Sequence, residues 1–413
     1  MVQTTKLDNG LTIVTEDVPY VQSVSIGVWF SVGSRQEDER NNGISHFIEH
    51  LMFKGTEKRS ALKIAQELDF VGGQLNAFTD KEYTCYYAKV LSEYLPVAAD
   101  VLSDMCLNSL FDPEELAREK NVVLEEIKRY QDAPDELVHD LFVQNLFADH
   151  PIGRPVIGTP ETVSALERDD IVKYIDQWYQ PDRAYVVAAG DVRHEDVIAL
   201  FDGTLGGRRG KAVPLEKSRP NGCNKDSRYQ RTTEQVHFCI GTRGPNQYDE
   251  SKYALAVMDA AMGGGMSSRL FQEIREKRGL AYSVGSYPHS YSETGLYAIY
   301  AGTSPETLDE VLGLCREEAR KVRSEGLSAE EFQRAKNQIK GALLLSLESM
   351  SSRMSRMAKS QIYFNRVIPM EEIVDKVLAV TPEDVHAASD NLLDDETWSI
   401  TMIGPRQEGS AGG

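Results

Sequence analysis

Residues 23–30, Ser-Val-Ser-Ile-Gly-Val-Trp-Phe, alternate small or polar with apolar side chains, the period of a strand with one face in a core. Residues 61–71 switch to helical spacing and end at Gly72 and Gly73, which can close a helix. Residues 74–79 and 83–90 then read as two strands joined by the polar turn Asp80-Lys81-Glu82. Residues 92–110, 112–131 and 135–147 follow as three helices, the second opened by an N-cap-like Asp112 with Pro113 in its first turn. Consecutive strands and blocks of helices predict an α+β fold, a mainly antiparallel sheet with helices packed on one face.

The pattern then recurs. The string from Phe111 to Asn121 has an echo from Leu327 to Asn337, at a constant offset of 216 residues, matching caps, apolar positions and exposed charges. Residues 169–190 run from a polar start through an amphipathic helix to the strand 184–188, and residues 382–404 repeat that order, ending in the strand 398–402. Two homologous domains are therefore expected, 1–212 and 230–413, separated by a linker at 213–229 that holds Pro214, Pro220, Asn221 and Gly222 but no apolar periodicity. Met350, Met354 and Met357 fall at helical spacing and read as core. Residues 409–413 read as a disordered tail.

Against this frame residues 46–50, His-Phe-Ile-Glu-His, carry chemistry. Ile44, Phe47, Ile48, Leu51 and Met52 supply the apolar stripe of a helix, so His46 and His50, four apart, lie on one side of it. Imidazole nitrogen suits zinc, and a catalytic zinc takes three protein ligands and leaves a position open. Glu49 stands beside that position, where a carboxylate can accept a proton from water; the order H-x-x-E-H is the inverted form of the H-E-x-x-H protease helix. A third ligand can come from the 113–129 helix, where Glu119 and Glu126 are seven apart on one face: Glu126 as ligand, Glu119 as its support. In the repeat these positions are Ala335 and Ala342, and where the first half has its two histidines the second has an apolar helix through Leu255, Ala256, Met258, Asp259 and Ala260. One half carries the metal chemistry; the other keeps the fold.

Composition narrows the partners. With 45 Lys and Arg against 64 Asp and Glu the net charge is −19, which disfavours nucleic acid. A cavity of that sign would attract basic peptides, and the same charge serves solubility. Five scattered cysteines, Cys85, Cys106, Cys223, Cys239 and Cys315, form no metal spacing and suit a reducing compartment. Residues 1–10 hold no apolar export stretch and no segment is long enough to span a bilayer, so a cytoplasmic protein without a membrane partner is expected.

Taken with Leu7-Asp8-Asn9-Gly10, the stretch Gly72-Gly73-Gln74-Leu75-Asn76-Ala77 and the string from Gly263 to Phe271, these motifs resemble the pitrilysin-type metallopeptidases over nearly the whole chain. The likeness is to the bacterial processing-protease branch related to mitochondrial processing peptidase. It implies a zinc-dependent endopeptidase with one zinc per chain on His46, His50 and Glu126, Glu49 as general base and Glu119 as supporting carboxylate. Glu125 is set aside as a ligand because it lies about 100° round the helix from Glu126 and out of phase with Glu119. The resemblance further implies a substrate clamp of Arg275 and Tyr282, with Arg278 nearby, and a substrate-binding edge at Gln74, Leu75, Asn76, Ala77 and Phe78 that an extended peptide joins as a further strand. It also implies a homodimer whose four domains close around a chamber, each clamp serving the other subunit's zinc site. Relatives that serve as non-catalytic scaffold subunits have lost ligands, and a peptidase half that needs an unlike partner divides zinc site and clamp between chains; this chain holds both.

Overall fold

The computed structural model describes residues 1–148, 150–220 and 226–405. Two compact units emerge: Met1–Lys128 with Arg154–Glu216 and Ser346–Ile368, and Arg129–Gly153 with Lys217–Leu345 and the described residues from Pro369 on. Among the described residues no helix is long and apolar enough to cross a membrane.

The first unit is built on six strands, β1 (Val2–Lys6), β2 (Thr12–Asp17), β3 (Ser23–Phe30), β4 (Gln74–Thr79), β5 (Thr84–Leu91) and β6 (Ala184–Gly190), in the order β1-β2-β6-β3-β5-β4. Only β2 and β6 run parallel. The second unit has β7 (Ser227–Gln230), β8 (Val236–Gly244), β9 (Ala281–Ser290), β10 (Gly295–Thr303) and β11 (Ser399–Gly404), ordered β7-β11-β8-β10-β9, again with one parallel pair, β7 with β11. From β2 onward the two sheets have the same order and sense, which is the repeat seen in three dimensions. The mainly antiparallel α+β class holds.

Helices Ile44–Leu51, Ala61–Phe70, Leu95–Asn108 and Arg168–Trp178 bury their apolar stripes on one face of the first sheet, around Ile26, Val28, Tyr86 and Ala88. Gly72, at a φ of +66°, and Gly73 close the second of these: their N–H groups return to Asp69 and Leu68 carbonyls, as the sequence predicts. Asp112 caps the Pro113–Gln131 helix, its Oδ1 accepting from the N–H groups of Glu114 and Glu115.

The opposite face is covered too, by a helix from far along the chain. Met350–Phe364 lies across β6, β3 and β2, burying Met354, Met357 and Ala358 against Val14, Trp29 and Val187. Gly27 makes room for it, since a Cβ there would come 3.2 Å from the Met354 sulfur. Strand β3 is consequently buried on both faces rather than one. In the second unit the 251–262, 308–325 and 382–392 helices cover one face, and Pro134–Leu146 covers the other through Val138 and Phe142. The contiguous halves expected from sequence thus differ from the compact units by two exchanged segments, 129–153 and 346–368. The physical reason is that each sheet has two apolar faces to bury and each half has helices for one.

The expected linker also differs at its end, where residues 227–229 pair as β7 with β11. Asn221, Gly222, Cys223 and the 409–413 tail lie outside the described residues. Cys85, Cys106, Cys239 and Cys315 are buried and free.

Candidate metal centre

The helix Ile44–Leu51 turns Ile44, Phe47, Ile48 and Leu51 into the core and leaves His46, Glu49 and His50 half-buried on its other side. Its start is held by a residue that sequence reasoning missed. The buried Glu37 carboxylate accepts from the N–H groups of Gly43 (2.8 Å) and Ser45 (2.9 Å) and from the Asn42 amide (2.8 Å), an anion at a helix N-terminus. Burial pushes its pKa up, and those donors oppose the rise.

Seven residues along the 113–131 helix separate a buried Glu119 from a partly exposed Glu126. One atom each from His46, His50 and Glu126 lies within 4.8 Å of the others. Glu126 Oε2 is 3.8 Å from His46 Nε2 and 3.5 Å from His50 Nε2, and the two rings meet edge-on at 4.8 Å. His50 Nδ1 bonds Glu119 Oε2 at 3.1 Å, and the other Glu119 oxygen pairs with Lys54 at 2.8 Å. Glu119 therefore fixes the imidazole so that Nε2, not Nδ1, faces Glu126. His46 Nδ1 is buried without a hydrogen-bond partner among the described residues, which leaves its Nε2 as the polar atom turned to the carboxylate.

Electrostatics agree with a cation site. Burial pulls His50 down, but Glu119 and Glu126 more than reverse this and push its pKa to about 9. His46 is driven down to about 4 by burial and then by His50. The buried Glu119 is held below the usual carboxylate range: burial opposes this, and His50 and Lys54 overcome it. Two neutralisable imidazoles and one carboxylate with converging atoms are the donor set of a three-ligand zinc centre with an open side. The residues present fit the metal.

Glu49 sits one step round the same helix. Its Oε2 accepts from Thr79 Oγ1 at 2.6 Å, tying the helix to the end of β4. Burial raises its pKa, against Thr79 and His50, and a carboxyl so placed takes up a proton more readily than one in water. Strand β4 is an edge of its sheet, paired among the described residues with β5 alone, so Gln74, Leu75, Asn76, Ala77 and Phe78 have one side without a neighbouring strand, although the Ala77 N–H is met by the Asn76 side chain at 2.8 Å. Thr79 and Lys54, like Glu37, were missed: each acts through a partner distant in sequence, and no spacing marks it.

In the second unit Arg275 lies in a single π-helical turn, Phe271–Glu276, a feature frequent at functional sites. Its guanidinium donates to the Tyr282 carbonyl at 2.8 Å and stacks 4.6 Å from the Tyr282 ring and 4.8 Å from that of Phe271. Tyr282, on β9, is 77% exposed. The predicted pair is thus together, while Arg278 is engaged by Glu273 at 2.6 Å. The helix Ser251–Met262 has no histidine, but its half-buried Asp259 accepts from Ser286 Oγ at 2.6 Å, and desolvation pushes the carboxyl up to about 7. A cavity of about 670 Å³ beside this helix, lined by Tyr253, Val380 and Ala388 among others, holds none of the metal ligands.

Residues 12–160 match the domain described as Insulinase (Peptidase family M16), and residues 165–339 match the Peptidase M16 inactive domain. The chain is 43% identical to an uncharacterized zinc protease of Bacillus subtilis over 98% of both chains. It is 42% identical to an uncharacterized zinc protease of Streptomyces coelicolor, over 99% of this chain and 91% of that one. A protease from Helicobacter pylori superimposes with a TM-score of 0.91 at 22% identity, covering 98% of this chain and 99% of the other. A Pseudomonas fluorescens structure described as a peptidase M16 inactive domain does so with a TM-score of 0.90 at 20% identity, over 98% of each. These two likenesses concern the fold.

Proposed function

The chain belongs to peptidase family M16, the insulinase family, and on that premise we propose that it is a zinc-dependent endopeptidase acting on extended or unfolded peptides. The observation that carries the reading is the convergence of His46, His50 and Glu126 on one point. These three residues would hold one zinc per chain, and the bound metal supplies Lewis acidity to the scissile carbonyl and acidifies water.

Glu49 removes a proton from the attacking water and returns it to the leaving amine; its raised pKa suits both directions of transfer. Thr79 holds the Glu49 carboxylate in place, and Glu119, braced by Lys54, orients His50. The substrate backbone joins the open side of β4 as a further strand, which reads extended shape more than sequence. Arg275 and Tyr282 supply donors to the substrate carbonyl, and the chain works as a homodimer in which that pair serves the partner's zinc site.

Metal analysis together with cleavage of a quenched fluorescent peptide tests this. About one zinc per chain is expected, with cleavage abolished by a chelator and restored by zinc. Glu49→Gln should keep its metal and lose turnover by about 10²- to 10⁴-fold. Substantial activity in that variant removes Glu49 from its role; a full metal complement in His46→Ala removes the ligand assignment.

A further inference from the structure

Strand β4 has two faces, and the catalytic reading uses one of them. Leu75 and Ala77 pack into the core beneath the metal helix, and Thr79 reaches Glu49, so odd-numbered side chains face the metal side. Phe78 turns the other way. It packs with Trp29 (5.3 Å between ring centroids) and Tyr87 (6.0 Å) on the side covered by the 350–364 helix. The register confirms the parity, because Asn76 stands opposite Tyr87 and Phe78 opposite Cys85. A peptide added beyond β4 would present its side chains to these two faces in turn.

On the far face a pocket of about 420 Å³ opens beside the strand, all of it within the first unit. Phe78, Tyr87 and Met354 line it with apolar surface, serines of the 350–364 helix such as Ser355 add hydroxyls, and Arg356 and Lys359 add charge. Among the described residues the lining contains two cations and no carboxylate, in a chain of net charge −19. Arg356 is anchored, its Nη1 donating to the Ile368 carbonyl at 2.7 Å. Lys359 is exposed and lies 5.0 Å from the Tyr83 ring centroid. The acidic side chains of the adjoining turn keep their charge but lie outside the lining, Asp80 accepting from Tyr83 (2.6 Å) and Glu82 from Tyr363 (2.9 Å).

We propose that this pocket is a specificity subsite for an acidic side chain, Asp or Glu, of the bound peptide, with Lys359 as its charge determinant. The side chain's methylene groups would lie on Phe78 and Tyr87 while its carboxylate meets the ammonium. The inference rests on the reading of β4 as the peptide-binding edge. Because neighbouring residues of an added strand face opposite sides, the preference falls on one position and is absent at the two flanking it.

The test uses the zinc-loaded full chain and a positional set of quenched fluorescent peptides carrying Glu, Gln or Lys at each site in turn. At one position the wild type should cleave the Glu peptide about fivefold better than the Lys peptide by kcat/KM, with the ratio shrinking as salt rises. Lys359→Glu should invert that ratio, whereas the same charge change at the exposed Lys173 should leave it within about twofold of wild type. Cleavage by all three proteins without any such position, or with a ratio that Lys359→Glu does not move, overturns the subsite and leaves the peptidase reading intact. Failure of the zinc-loaded wild type to cleave any peptide overturns both.

Discussion

Glu119 reaches the centre through a single imidazole, bonding His50 Nδ1 at 3.1 Å while Lys54 steadies its other oxygen. Glu119→Ala should therefore lower zinc affinity by about 10- to 100-fold, with activity recovered in excess zinc; unchanged affinity in a competition titration would end its supporting role. Asp259 offers a contrast in the half without ligands. Its folded carboxyl, pushed up to about 7, keeps a proton that the unfolded chain, near 3.8, releases. Its favourable contribution is thus present at acid pH and is lost as pH rises through about 7. Asp259→Asn should gain melting temperature relative to wild type by a few degrees between pH 5 and pH 8, and a pH-independent difference would refute this. His46, Glu49 and His50 were legible because a helix turns sequence spacing into a shared face. Glu126 was legible because the repeat placed Ala342 opposite it. Glu37, Lys54 and Thr79 were not, since their partners are met only after folding.

At the level of elements, the helix Met350–Phe364 is the chief departure from expectation. Its methionines read as core and are core, at 6%, 1% and 0% exposure for Met350, Met354 and Met357. Which sheet they cover could not be read, because the contact joins residues more than 300 positions apart, as in the Ser25 to Ser351 hydroxyl pair at 3.0 Å. Met357→Ala should cost about 2–5 kcal/mol in denaturant unfolding of the first unit; a loss under 1 kcal/mol would mean that this face is loosely packed. Strands β8 and β10 escaped the reading for another reason. Both are buried on two faces, and a short continuous apolar run does not separate strand from buried helix. Where one face was solvated or a glycine pair closed the element, as at residues 61–79, the boundaries came out within a residue or two.

For the molecule as a whole, the proposed homodimer makes a quantitative claim. Mixing subunits that carry only His46→Ala with subunits that carry only Tyr282→Phe should restore about a quarter of wild-type activity if exchange is random and the clamp acts across the interface. No recovery in demonstrably mixed dimers would return the clamp to its own chain. The two compact units carry a further consequence. Residues 129–153 complete the second while residues 346–368 complete the first, so each half of the polypeptide donates a strap to the other's fold. A single proteolytic nick near residue 217 should then yield two fragments that stay threaded together through gel filtration and part only in denaturant. Either fragment expressed alone should lack one wall of its sheet and precipitate.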